Sequence, residues 1–304
     1  MSHSPYRNGF QKPSISDRII DIAIVIVMVL VVIVTLYPFL NVLAVSFNSS
    51  SDTVKGGVTI FPREFTLDNY KTIFSFGTIP HAFFISVART VLGTILSLFA
   101  CSMVAYVLSR KDFVFRHFLS RYLAITMYIS GGLVPFFILI RDLQLMNTFT
   151  VYILPGIVNV FFIFMIRSFI DGLPYELQES AKLDGANDFT IFWRVILPLC
   201  KPVLATAALF IAVGQWNSWF DTYLFNGSNP DLSTLQFELM KILQSTQTGQ
   251  DAVNSNDMAR NMQQVSPESI KMAITMVTTL PILLVYPFLQ RYFVAGMTLG
   301  AVKG

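Results

Sequence analysis

The sequence predicts an all-α, polytopic membrane protein with six transmembrane helices and both termini on the cytoplasmic side. Three observations carry that prediction. Of 304 residues, 54% are hydrophobic and only 13% are charged, with a mean hydropathy of +0.60. A soluble domain carries about 25% charged residues, so this chain cannot cover a water-facing surface, and a soluble enzyme and a disordered chain are both excluded. Uncharged stretches recur at the length of a membrane crossing, about 20 residues for roughly 30 Å of hydrocarbon. Those stretches do not alternate polar with apolar as barrel strands do, and only helices or closed barrels satisfy their backbone in lipid.

The gaps between charged residues place the elements. Asp21 to Asp52 leaves 30 uncharged positions, Arg89 to Arg110 leaves 20, and Arg121 to Arg141 leaves 19. Asp142 to Arg167 leaves 24, Lys201 to Asp221 leaves 19, and Lys271 to Arg291 leaves 19. Spans are therefore expected near 19–41, 85–109, 119–140, 149–170, 200–224 and 270–290. The first is too long for a signal peptide and lacks a clean small-residue cleavage site, so it reads as an uncleaved helix. With the N-terminus inside, 13 of the 21 lysines and arginines fall inside and 7 outside, with Arg89 at an outer span end; that bias supports the orientation. The organisation follows: a cytoplasmic segment 1–18, a membrane domain 19–290 and a cytoplasmic tail 291–304. Within the domain lie external loops 42–84 and 225–269 and a cytoplasmic segment 171–199. The stretch 226–269 is rich in Asn, Gln, Ser and Asp and should be solvated.

The cytoplasmic segment is the most informative. Pro174 suits the first turn of a helix, with Glu176 and Glu179 near its positive end. Gly185 offers the left-handed turn that ends a helix. Asn187 or Asp188 can cap a second helix, which Pro198 and Pro202 bend into the fifth span. The first helix is acidic: Glu176, Glu179 and Asp184 stand against Lys182 alone. A helix lying on an anionic inner leaflet would be basic, so docking to a basic protein groove fits better.

Polar groups near membrane depth are functional candidates by default, though weaker ones than charges. Gln215, Trp216, Asn217, Trp219 and Asp221 cluster in the fifth span, where aromatic rings beside amides suit stacking on sugar faces. They equally suit an interfacial aromatic belt with amides that join helices. Arg89 and Asp221 both fall at outer span ends, so they pair, line a vestibule, or Arg89 snorkels to the surface. Asn159 suits either a helix bridge or a substrate contact. Gly131, Gly132 and Pro135 point to close packing, a kink or a broken helix in the third span. Cys101 and Cys200 read as small buried hydrophobes. His3, His81 and His117 form no pair at metal spacing, and no phosphate loop ending in Gly-Lys-Ser or Gly-Lys-Thr is present. No span holds a charge at its centre, which argues against an ion-coupled secondary transporter.

Glu179-Ser180-Ala181, three residues, Gly185 and then Val195-Ile196-Leu197-Pro198 resembles the EAA–glycine loop of ABC importer permeases. That loop reads Glu-Ala-Ala, three residues, Gly, nine residues, Ile, any residue, Leu-Pro. Ser180 replaces the first Ala and Val195 the Ile. Asp184-Gly185-Ala186 is similar to the carbohydrate branch. The tail from Gln290-Arg291-Tyr292-Phe293 to Lys303-Gly304, and Phe65-Thr66-Leu67-Asp68-Asn69-Tyr70, resemble the maltose-type permeases, closest to second permease subunits of complex-oligosaccharide importers. The resemblance implies a type I importer permease fold in a bacterial cell membrane. It implies a non-enzymatic subunit that forms half of an oligosaccharide pathway beside a second permease. Two ABC ATPases would dock below and an extracytoplasmic solute-binding protein above. No cofactor would bind this chain; ATP and Mg would sit on the ATPases, and nucleic acid is no partner. Glu176, Glu179, Ser180, Ala181, Lys182, Asp184, Gly185, Ala186 and Pro198 would then form the ATPase-coupling element. Glu179 would meet a basic residue there, Ala181 and Gly185 would keep the docked surface flat, and Thr298 and Lys303 would reach the ATPase as well. The alternatives are an importer permease for a non-sugar solute, or a membrane assembly protein that docks a cytosolic partner.

Overall fold

The computed structural model describes residues 15–75, 77–248 and 266–301, and every regular element among them is a helix. In chain order they are α1 (Ile15–Ser46), α2 (Ser50–Thr53), α3 (Asp68–Ser75), α4 (Thr78–Ser109), α5 (Arg116–Thr126), α6 (Leu133–Asp142), α7 (Val160–Asp171), α8 (Glu176–Leu183), α9 (Asp188–Ile191), α10 (Leu197–Leu199), α11 (Lys201–Asn217), α12 (Phe220–Phe225), α13 (Leu235–Thr248) and α14 (Pro267–Ala301).

Helix α4 is the central rod. Its buried stripe runs through Ala82, Ser86, Arg89, Gly93, Ser97, Cys101 and Ala105. The spacing of three to four residues keeps that stripe on one face, and the small side chains let α7 and α11 approach closely, as helices in lipid must to gain packing energy. Cys101 and Cys200 are both buried, as expected of small hydrophobes. At one end of the bundle, Tyr106, Ile163, Ile166, Ile170, Phe192 and Ile196 form an apolar cluster. At the opposite end, Ile73, Ile79, Trp216, Leu235, Ile270 and Ile274 form another. Helix α1 differs from the rest: the most apolar window of Arg18–Ser46 is 0% buried. A helix that is hydrophobic all round and unburied in its own chain belongs in lipid or against another chain.

Among the described residues, three helices are each long and apolar enough to cross a membrane: Arg18–Ser46, Thr78–Ser109 and Pro267–Val285. Two bent pairs bring the number to 5. In one pair, 3-10 turns over Phe149–Gly156 meet α7 at 49°; in the other, Asp188–Leu199 meets α11 at 82°. The expected span at 119–140 is not a continuous helix. It is broken between α5 and α6, where Gly132 adopts φ +87°. A left-handed glycine cannot continue an α-helix, and Pro135 then falls in the first turn of α6, where proline is tolerated.

Two further expectations need correction. The stretch 226–269 is not simply solvated: Leu235, Leu239 and Ile242 of α13 are 1%, 6% and 2% exposed, packed against α14 and Trp216. Its residues 249–265 lie outside the described residues. The 291–304 tail does not begin at a helix end, because α14 runs on to Ala301. The expected contacts of Thr298 and Lys303 lie outside the described side chains.

The 42–84 loop is built around one side chain. Asn48 accepts hydrogen bonds from the backbone of Arg63 and Glu64 at 2.8 and 2.9 Å and donates to Asp52 at 3.0 Å. Arg63 Nε donates to the same carboxylate at 2.8 Å. The hydrogen bond from Asn48, then that from Arg63, holds Asp52 below the usual carboxylate range. Asn69 donates to the Ser46 and Asn48 carbonyls at 2.9 Å each, and Tyr70 hydrogen-bonds Ser46 at 2.8 Å. The Phe65–Tyr70 phrase thus works as a clasp on the end of α1.

Candidate functional site

Helix α8 projects from the bundle as a short, well-terminated rod. Glu176 and Glu179 occupy its first turn. Pro174 lies just before it and offers its carbonyl to Leu177. At the other end Gly185 sits at φ +82°. The Gly185 N–H donates to the Lys182 carbonyl and the Ala186 N–H to the Ala181 carbonyl, both at 3.0 Å. That pair of bonds is the Schellman termination, which needs a left-handed residue. Asn187, rather than Asp188, caps α9 by accepting from the Thr190 N–H at 2.8 Å.

The two faces of α8 differ, with Leu177 and Lys182 partly exposed at the boundary between them. Glu176, Glu179, Ser180 and Leu183 are exposed, with Leu183 at 89%. Their spacing of 3, 4 and 7 residues makes them one face. On the other face Gln178 is buried, and Ala181 and Ala186 pack against the apolar cluster. Ala181 therefore supports α8 from beneath instead of flattening an outward surface. Asp184 and Gly185 are exposed at the tip. Pro198 lies away from this surface, in α10, where the chain bends into α11 after the π-turn Phe192–Ile196.

Lys182 turns back toward its own chain. Its Nζ lies 3.1 Å from Asp112 and 4.0 Å from Asp188. Asp112 also accepts from Arg110 at 2.6 Å, and Arg110 reaches Asp188 at 3.1 Å and the Tyr106 hydroxyl at 3.1 Å. The hydrogen bond from Arg110, then that from Lys182, holds the Asp112 carboxyl well below its ordinary range; the same bond holds Arg110 above its own. Sequence reasoning used Arg110 and Lys111 only as charges that set orientation, and passed over Asp112. The available signal was a charged triplet directly after a long apolar span.

The polar residues at the opposite end divide between a pair of jobs. Arg89 is 2% exposed and forms a bidentate pair with Asp221. It also donates to Gln215 Oε1 at 3.0 and 3.2 Å and to the Ser218 carbonyl at 3.3 Å, and lies 4.4 Å from the Tyr152 ring centroid. Every guanidinium nitrogen is engaged, so Arg89 neither snorkels nor offers a free donor. It ties α4 to α11 and α12 across the break at Ser218. Gly93 makes room for this: a Cβ there would lie 2.9 Å from Gln215 Nε2.

Beside the pair opens a cavity of about 410 Å³, lined by Tyr152, Gly156, Asn159, Gln215 and Asp221 among others. Asn159 is at its wall and caps α7 by accepting from Phe161 at 3.0 Å. Trp216 points elsewhere: it is 8% exposed and its indole donates to the Thr278 carbonyl at 2.9 Å. Asn217 and Trp219 do not line the cavity; Trp219 meets Phe220 edge-on at 5.7 Å and Tyr223 at a tilt at 6.4 Å.

A bundle of apolar, broken helices with one acid-faced helix projecting from an end is the architecture of a membrane permease. The crystal structure of a bacterial ABC transporter involved in the import of the acidic polysaccharide alginate contains a chain that superposes with a TM-score of 0.83 at 28% identity, covering 93% of this chain and 99% of that one. Residues 97–299 match the family described as binding-protein-dependent transport system inner membrane component. The chain is 38% identical to Protein LplC of Bacillus subtilis, over 94% of this chain and 96% of that protein. It is 35% identical to the polygalacturonan/rhamnogalacturonan transport system permease protein YtcP of the same species, over 95% and 99%. The arabinooligosaccharides transport system permease protein AraQ of Halalkalibacterium halodurans is 34% identical, over 89% and 92%. This chain belongs to the binding-protein-dependent transport system inner membrane component family.

Proposed function

We propose that this permease forms half of the pathway of an ATP-driven oligosaccharide importer and that α8 is its contact with an ABC ATPase. The observation that carries the reading is the division of α8. Glu176, Glu179 and Leu183 face outward while Gln178, Ala181 and Lys182 hold the helix to its own chain. A helix fixed from beneath and acidic on top suits a cleft lined by basic residues. ATP and Mg bind on the ATPases, whose closure moves α8 and switches the bundle between inward-open and outward-open states as packed rigid bodies.

The remaining partners follow from the same reading. A second permease completes the pathway, and the unburied length of α1 gives it a helix to pack on. An extracytoplasmic binding protein delivers substrate at the end opposite α8. The sixth crossing is α5 and α6 together, broken at Gly132, and both termini then fall on the α8 side, in the cytoplasm of a bacterial cell. The polar cavity beside Arg89 is this chain's share of the path, with the exposed Asn159 at its wall offering an amide to a saccharide. The names of the polygalacturonan, arabinooligosaccharide and alginate relatives support a saccharide of plant or algal origin.

Substitution Glu179→Lys tests the contact. The protein should still insert in the membrane, and the ATPase subunits should no longer co-purify with it. Stable co-purification with normal uptake would refute the docking reading.

A further inference from the structure

The three residues that follow α4 touch both ends of α8, and we propose that Arg110–Lys111–Asp112 is a positioning grip through which α8 moves α4. The proposal rests on the reading of α8 as the ATPase contact. Near the start of α8, Lys111 Nζ lies 4.4 Å from the Tyr175 ring centroid, within range of a cation–π attraction. Near its end, Asp112 Oδ2 lies 3.1 Å from Lys182 Nζ. Arg110 fixes the grip to α4. It is 5% exposed and is held by Tyr106 at 3.1 Å, Asp188 at 3.1 Å and Asp112 at 2.6 Å. A buried charge so fully paired does not leave its place without a large cost.

The covalent route from α8 into the bundle is compliant. It passes the left-handed turn at Gly185, the short α9, a π-turn and α10, and then bends by 82° into α11. A push on α8 along that route alone can be absorbed at Gly185. The grip adds a second route, direct to the end of α4. Helix α4 then carries the motion about 31 Å, at 1.5 Å per residue, from Arg110 to Arg89, where the pair with Asp221 passes it to α12. Moved through both routes, α4 and α11 shift together. Moved through one, they shear.

The test uses the assembled complex with both permeases, the ATPases and the binding protein. Spin labels are placed at Phe84 on α4 and Leu283 on α14, which are 67% and 53% exposed. The distance change on adding ATP and vanadate is compared between the parent and Asp112→Asn. The variant should keep its ATPase subunits and its ATP turnover, and should lose most of the distance change. Asp112→Glu should restore it. A full distance change in Asp112→Asn, or none in the parent, would overturn the grip. Loss of the ATPases from Asp112→Asn would overturn it too, because the segment would then serve docking itself. The underlying reading of α8 fails separately, on co-purification of Glu179→Lys.

Discussion

Arg89 sets how three helices meet, and its value lies in being paired. Arg89→Met leaves the Asp221 carboxylate without its counter-charge, and breaking a buried pair by removing one partner costs about 3–5 kcal/mol. The Asp221 side chain is 22% exposed, which places the expected loss at the lower end, about 3 kcal/mol. The double variant Arg89→Met/Asp221→Leu should lose less than Arg89→Met alone, read as thermal unfolding of the complex in detergent. A double variant weaker than either single one would show that the groups do more than pair. The sequence offered pairing as one of three options for Arg89. It could not choose, because nothing in a one-dimensional pattern shows that Gly93 leaves room for Gln215. Trp216 was misplaced for a similar reason. It neighbours Gln215 in sequence but lies about 100° away around the helix, which turns it toward α14 and away from the cavity.

At the scale of elements, α8 was the most legible part of the chain. Proline before the helix, acids in its first turn, glycine after it and Asn187 beyond each have a local physical cause. All appear in the structure where expected, save that Pro174 precedes the first turn. The left-handed Gly185 carries a direct prediction. Gly185→Val forces a branched side chain into a conformation that costs roughly 1–2 kcal/mol, though no neighbouring atom lies within 4 Å of its Cβ. Gly185→Asn keeps most of the turn. Binding-protein-stimulated ATP hydrolysis should fall in the valine variant and hold in the asparagine one; equal activity in both would remove the turn from the coupling element. The grip beneath α8 was not legible, because Lys182 and Asp112 lie 70 residues apart. Its charge state gives a pH prediction. Arg110 and Lys182 lower the Asp112 carboxyl in the folded protein. Its contribution is therefore complete above the ordinary value of about 4 and is lost only as pH falls through the lowered one. The ATP-driven distance change between α4 and α14 should stay flat from about pH 8 to about pH 5. A loss centred near pH 6 would contradict the ion pairs as its source.

For the whole molecule, hydropathy located the long helices and misjudged their continuity. Apolar runs at 119–140 and 149–170 look unbroken because glycine, serine and 3-10 turns change the path without adding charge. The polar composition of 226–269 hid α13 in the same way: a few apolar residues at helical spacing, Leu235, Leu239 and Ile242, suffice to bury it against α14. What remains decisive is which side of α8 meets the ATPase in the assembled importer. A photo-crosslinking amino acid placed in turn at Glu176, Glu179, Leu183, Gln178 and Lys182 measures this directly. The outward positions Glu176, Glu179 and Leu183 should give adducts with the ATPase subunit, and Gln178 and Lys182 should give none. Adducts from both faces alike, or from neither, would contradict a helix held on one side by its own chain and read on the other by its motor.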